Sequence, residues 1–300
     1  MKLRVLLLGL TLAAGPALAQ KMPAKTPANK PAVPTGPAPA FHLSCADQQP
    51  ASALQKLHCQ TRELALSPPP PGTPLTVDAR ANGSITVRAW PGSDVRVRVR
   101  VTGRAATPEA ARGLVAAVAV SHQNNLLRAA RANESLEGWA VDYEVLVPEQ
   151  TDLALRAGNG ALVLENVRGT LRFETTTGNV LLRGVGGDVR GKTTTGNLDL
   201  IFSGEGWSGP GLDVSTVTGD VSWQLPATYA GTLLARTNRG RVTARLNTKR
   251  LSVLPHNLAA TLGKGGAQLK VSTVNGNVRV AQEPLPQPAA EPADSLLYND

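Results

Sequence analysis

The chain has 300 residues, a formal net charge of +9 and only 3% aromatic residues. So few aromatics give no stacking platform for single-stranded nucleic acid, and no nucleic-acid partner is expected. The basic balance suits anionic envelope polymers or lipid head groups, and it suits plain solubility equally well.

Residues 1–19 read as a secretory signal. Lys2 and Arg4 precede a short apolar run, Val5 to Ala14, and Ala17-Leu18-Ala19 is a small-x-small cleavage site. The run is short for a bilayer span, so retention as an uncleaved anchor is the lesser alternative. No cysteine follows the site, and a lipoprotein anchor is not indicated. The expectation is an exported protein in the periplasm, at the cell surface or secreted. Its mature chain would start near Gln20 and contain no transmembrane segment. Residues 20–40 are rich in Pro, Ala, Lys and Thr and read as a linker that cannot bury enough surface to order itself. Residues 283–300, with Pro284, Pro286, Pro288 and Pro292, read as a disordered tail of the same character.

The extension 41–72 carries Cys45 and Cys59, the chain's two cysteines. In an oxidising compartment they read as one disulfide. His42 and His58 stand beside them, so a four-ligand metal site is the alternative. The spacing fits no common zinc pattern, and no metal is assigned.

Residues 73–148 precede the repeats. Ser84–Trp90 and Val95–Val101 alternate as strands about a Pro91-Gly92 turn. Thr107-Pro108-Glu109 starts a helix that runs to Ala117, with Thr as cap, Pro in the first turn and an acid near the positive end. Val118–Ser121 and Leu126–Ala130 form a hairpin about Gln123-Asn124-Asn125. Ala140–Val147 is a further strand, ended by Pro148. Arg96, Arg98 and Arg100 alternate with valines and share one strand face, which Arg88 extends. Arginine forks suit phosphate and carboxylate, so the stripe is a candidate polyanion site. The plainer reading is a solvated face that discourages edge-to-edge aggregation.

Residues 149–282 repeat. Gly160, Gly169, Gly178, Gly187 and Gly196 are evenly spaced. Every second one closes a signature: Thr175-Thr176-Thr177-Gly178-Asn179-Val180, then Thr193-Thr194-Thr195-Gly196-Asn197-Leu198. Looser copies centre on Gly219, Gly240 and Gly276, and Asn82-Gly83-Ser84-Ile85 fits as well. A fixed period means stacked supersecondary units and a long surface rather than a pocket. Inward positions are Leu162, Val180, Leu198, Val221, Val242 and Val278 after the glycines, and Leu171, Val189, Leu212, Leu233 and Leu269 before them. Thr175, Thr193, Thr216, Thr237 and Thr273 stand three residues before the glycine. At a stacking distance of about 4.8 Å they form a structural ladder. A flat Thr-rich face for ordered water or ice is the sharp alternative, but only two repeats keep the Thr-x-Thr pair.

Catalytic groupings are poorly supported. Asp188 and Asp220 follow glycines as turn residues, and Asp199 and Asp213 fall on different repeats without converging. His122 and His256 lie alone. Gly186-Gly187-Asp188 is too little for a calcium nonapeptide array. The glycines precede strands, so no phosphate-cradling loop is present and no cofactor is expected.

The serial order of these units resembles a widespread bacterial family of β-strand-repeat domains of unknown function, labelled "putative adhesins". The matching features are Val147-Pro148, the apolar pair Leu153 and Leu155, and the successive Thr-x-x-Gly-(Asn/Asp)-(Val/Ile) units, over residues 75–281. The insertion between Arg245 and Gln268 departs from the pattern. The resemblance implies an exported or envelope-associated β-solenoid and supplies no catalytic residues. The expected fold is all-β, a mostly parallel, β-helix-like solenoid with a short strand–helix–strand segment leading into it. The expected role is that of a non-enzymatic envelope or cell-surface structural and interaction protein, adhesive as the family's label suggests. Expected partners are envelope polymers or other envelope proteins, with self-association open. The alternatives are a carbohydrate-active β-helix enzyme and a polyanion-binding module.

Overall fold

The computed structural model describes residues 40–46, 48, 54–132 and 137–282. The signal, nearly all of the linker, and the tail 283–300 lie outside the described residues. Eight elements precede the repeats: β1 (Lys56–Leu66), β2 (Leu75–Asp78), β3 (Ile85–Trp90), β4 (Val95–Ala105), α1 (Pro108–Ala116), β5 (Val118–Gln123), β6 (Leu126–Arg131) and β7 (Trp139–Pro148). The chain then alternates between two sheets through β8 (Leu153–Asn159), β9 (Leu162–Glu165), β10 (Arg168–Thr177), β11 (Val180–Arg183), β12 (Gly186–Thr195), β13 (Leu198–Ile201), β14 (Gly211–Thr218) and β15 (Val221–Leu225). Next come β16 (Gly231–Arg239) and β17 (Val242–Arg245), a hairpin β18 (Leu251–Leu254) and β19 (Asn257–Leu262), and finally β20 (Gln268–Asn275) and β21 (Val278–Gln282).

Local chemistry explains the non-repeat elements. Thr107 caps α1, its hydroxyl accepting from the Ala110 amide at 3.2 Å, with Pro108 in the first turn. Asn124 and Asn125 both take positive φ, 50° and 60°, which suits a tight turn between β5 and β6. The strand β1 was not legible in the sequence. Its exposure pattern is irregular, and it forms by pairing antiparallel with β4 along its whole length.

The molecule is all-β apart from α1. The first sheet runs β1-β4-β7-β3-β9-β11-β13-β15-β21-β17, and the second runs β18-β19-β16-β20-β14-β12-β10-β8-β2-β6-β5. Repeat strands pair in parallel and without slippage. Leu171 lies opposite Val189, Thr175 opposite Thr193, and Val180 opposite Leu198. The expected mostly parallel solenoid is not reached as a whole, because the parallel stacking of the middle coils does not extend to the ends. There β1, β4 and β7 pair antiparallel in the first sheet, and β5–β6 and β16–β19–β18 do so in the second. The sheets are therefore mixed, and open rather than closed.

Neither end of the stack follows chain order. The pair β20/β21 lies between β14/β15 and β16/β17, although it comes last in sequence. At the other end β2/β3 lies inside β6/β7. The residues between Arg245 and Gln268 make this return possible. They form the β18–β19 hairpin, which covers the free edge of β16, and then carry the chain back inward. The last strands of the chain are thus paired on both sides, and an open edge is blunted.

The core lies between the sheets. Leu162, Val180, Leu198, Val221, Val278 and Val242 form one buried column, facing Leu153, Leu171, Val189, Leu212, Leu269 and Leu233. Gly191 belongs to the inner face because a Cβ there would lie 2.3 Å from the Phe173 ring, which fills its place. Phe202, Trp207, Trp223 and Tyr229 fill the wider coil between β13 and β16, with ring centroids 5.2–5.8 Å apart.

Candidate functional site

Each repeat corner is built from three neighbouring positions. The glycine brings stacked backbones together. A Cβ on Gly178 would sit 1.9 Å from the Gly160 carbonyl oxygen, and one on Gly196 would sit 2.0 Å from that of Gly178. The threonine three residues earlier points inward and is buried. Thr193 Oγ1 donates to the Gly178 carbonyl at 3.1 Å, Thr216 to Gly196 at 2.8 Å, Thr273 to Gly219 at 2.9 Å and Thr237 to Gly276 at 2.7 Å. Thr175 makes only long links, 3.4 Å to the Gly160 carbonyl and 3.5 Å to that of Gly158. These hydroxyls bond to corner backbone, and the inward row is not a face for ordered water.

The residue after the glycine adds a second, exposed ladder. Asn179 Oδ1 accepts from the Asn197 amide, Asn197 Oδ1 from the Asp220 amide, Asp220 Oδ1 from the Asn277 amide and Asn277 Oδ1 from the Arg241 amide, at 2.7–3.0 Å. Arg241 stands where the others carry Asn or Asp. Its strand β17 is the edge of the first sheet among the described residues, and the ladder ends there. Asp220 is thus a stacking link as well as a turn residue.

The arginine stripe lies on the outer face of the first sheet, and its guanidinium groups are engaged within the chain. Arg88 pairs with Glu144 and donates to the Ala40 carbonyl at 3.0 Å. Arg96 pairs with Asp94 at 3.1 Å and lies 4.7 Å from the Trp90 ring centre. Arg98 pairs with Glu63 and stacks on Phe41, and Arg100 pairs with Asp142 and donates to the Ser44 carbonyl at 2.7 Å. The segment 40–46 therefore crosses this face as a strap. Glu144, only 2% exposed, accepts from the His42 and Leu43 amides at 2.8 and 2.7 Å. The Cys45–Cys59 disulfide fastens the strap to β1, with Cα atoms 5.8 Å apart. Both cysteines are thereby withdrawn as thiolate ligands.

Of the four candidate aspartates only Asp188 and Asp213 lie near each other. Asp199 lies on the first sheet, Asp213 and Asp188 on the second, and Asp220 at a corner. Asp188 and Asp213 share a shallow outer depression with Arg190 and Lys270. Hydrogen bonding from Arg172, reinforced by Arg190, holds the Asp188 carboxyl below the ordinary aspartate range. Asp213 pairs with Lys270 at 3.2 Å. His122 is on β5 and His256 in the β18–β19 turn, at opposite edges of the second sheet. Among the described residues no group of three or more His, Cys, Asp or Glu side chains could hold a metal ion. No described helix is long and apolar enough to cross a membrane.

A further feature had no local signal in the sequence. The outer face of the second sheet forms a groove of about 770 Å³ across β14, β20, β16, β19 and β18. Val217, Val274, Leu234 and Leu254 supply its apolar lining, and Arg236 and Lys270 its charge. It exists because β20 returns between β14 and β16, a placement that no stretch of sequence encodes locally.

No protein-family model matches the chain, and no curated protein matches it. Three solved structures share part of its course. A "putative cell adhesion protein" from Clostridium sporogenes is 15% identical, with 75% of this chain and 100% of that chain covered and a TM-score of 0.37. A "putative adhesin" from Bacteroides fragilis is 10% identical, with 75% and 97% covered and a TM-score of 0.40. A "putative lipid binding protein" from Parabacteroides distasonis is 8% identical, with 74% and 96% covered and a TM-score of 0.33.

Proposed function

We propose that this chain is an exported, non-enzymatic structural and interaction protein of the cell envelope or surface, working as an open β-solenoid. The observation that carries this reading is the unshifted parallel register. It sets equivalent outward side chains in rows across successive coils, as with Thr176, Thr194, Val217, Val274 and Asn238 on the second sheet. The rows repeat at about 4.8 Å, a spacing suited to an extended partner such as an envelope polymer or a protein strand rather than to one small substrate. The signal-like start of the chain supports export.

The test is retention of envelope components by the immobilised full chain. The expected result is that a defined polymer or protein is retained, and that Thr194→Arg with Val217→Arg abolishes its retention while the melting temperature holds. Retention unchanged by the double substitution would overturn the reading. So would turnover of an envelope glycan by the purified chain, which would instead favour the carbohydrate-active alternative.

A further inference from the structure

The residues from Val221 to Gln282 contain nine Lys and Arg and not one Asp or Glu. Because β20 and β21 return between earlier coils, this stretch builds one end of the stack. All nine cations are exposed. Arg245 and Arg279 stand on the first sheet, Arg236 and Lys270 on the second, and Lys249 and Arg250 in the turn that enters β18. Among the described residues only Lys270 has an ion-pair partner, Asp213. Arg96, Arg98 and Arg100 differ, because each is paired. Unpaired charges of one sign raise a local potential that draws the opposite charge.

The same end is apolar at its tip. The second sheet continues beyond β16 through β19 to β18, whereas among the described residues the first sheet stops at β17. Leu251 lies opposite Ala260 and Val253 opposite Leu258, and cross-strand partners share a face. Ala260 and Leu258 are buried, so Leu251 and Val253 point to the core side of the sheet, yet they are 36% and 43% exposed. Leu254, 57% exposed, points to the other face. Edge strands are commonly blunted by a charge or a proline of their own, and Leu251-Ser252-Val253-Leu254 has neither.

We propose that this end of the stack docks on an anionic lipid surface. Leu251, Val253 and Leu254 enter the boundary between head groups and acyl chains, and the cations around them meet the head-group phosphates. Such a surface satisfies both halves of the tip. A soluble polyanion would use the charge and leave the apolar strand in water. A second copy of the chain would cover the apolar strand but set like charges against each other. The proposal uses the tip of the stack and not the outward rows at Thr194 and Val217, so either reading can fail without the other.

Flotation of the full chain with lipid vesicles tests this. Vesicles of equal parts phosphatidylglycerol and phosphatidylcholine should carry the chain, and phosphatidylcholine alone should not. A cation near an anionic surface is worth roughly a fivefold change in affinity, so Arg245→Gln with Lys249→Gln and Arg250→Gln should weaken binding on the order of a hundredfold. Removing as many cations elsewhere, with Arg112→Gln, Arg168→Gln and Arg183→Gln, should weaken it far less. Leu251→Thr with Val253→Thr and Leu254→Thr should weaken vesicle binding by about tenfold or more, while retention on heparin stays the same. If the threonines lower the melting temperature, an environment-sensitive fluorophore on Leu254→Cys takes their place. Its emission should shift to the blue on the anionic vesicles, and that of a fluorophore on Ser121→Cys, at the opposite edge of the second sheet, should not. No binding to the anionic vesicles overturns the proposal, and so does equal loss from the two sets of glutamines. Vesicle binding that the threonines leave unchanged, or no blue shift at position 254, overturns it in favour of a charge-only polyanion site. A full-chain oligomer that the threonines dissociate overturns it in favour of a second copy.

Discussion

At the residue scale the corner glycines are fixed by contact more than by dihedral angle. Glycine's tolerance of positive φ is the obvious reason to find it at a turn. Gly196, Gly219 and Gly240 do lie at positive φ, but Gly160, Gly178 and Gly276 do not. What all six share is a neighbouring carbonyl about where a Cβ would be. Gly178→Ala should therefore force adjacent coils apart and cost on the order of 3 kcal/mol, the upper part of the overpacking range. Gly113→Ala, in α1 with nothing within 4 Å, should instead stabilise by roughly 0.5–1 kcal/mol. Urea unfolding of the two variants checks both signs, and a Gly178→Ala variant as stable as the parent would remove contact as the reason. The corners that carry a Thr-x-x-Gly unit were legible in the sequence, although the intervals between them vary. The direction of each bond was not. Only the stacking of the coils shows Thr193 reaching one way to Gly178 while Asn179 serves the Asn197 amide.

At the element scale, alternation identified most strands and their inward faces, and the helix was marked by Thr107 and Pro108. Strand order was legible only through the middle of the stack, where coils follow chain order. Nothing in residues 268–282 says that β20 and β21 insert ahead of β16 and β17. Their Thr-x-x-Gly-Asn-Val unit would stack equally well on any coil, and the long return through β18 and β19 decides the matter. This order has a consequence. Strands β14 and β16 do not pair with each other, because each pairs with β20. A chain ending at Lys264 should therefore lose more than its last coil. The coil β16/β17 loses its support, and buried Trp223 loses Val280 as its neighbour across the pair β15–β21. The expected outcome is a lower melting temperature, a broader transition and red-shifted tryptophan emission. An unchanged melt with unchanged emission would show that β16/β17 can close the stack without β20/β21.

At the scale of the whole molecule, the strap and the groove lie towards opposite ends of the two sheets. The strap crosses β3, β4 and β7, and the groove crosses β14 to β18. The strap is therefore fastened at one end of the sheets, and the groove lies at the other. The fastening rests on the carboxylate of Glu144, the arginines and one disulfide that closes a loop of sequence separation 14. A cross-link over so short a loop contributes at most about 3 kcal/mol through chain entropy. The rest of the fold does not depend on it, because β1 stays paired with β4 from Lys56 to Leu66. Reducing Cys45–Cys59 should therefore free the strap locally and leave the two-sheet core intact. Chymotrypsin should then cut at Phe41 and Leu43 faster than in the oxidised protein, while far-UV circular dichroism and tryptophan emission stay the same. Glu144→Gln should increase that cleavage further, since it weakens the acceptor shared by the His42 and Leu43 amides and Arg88. If reduction instead unfolds the core, the disulfide holds the sheets together. If cleavage at Phe41 does not change, the charged groups hold the strap without it.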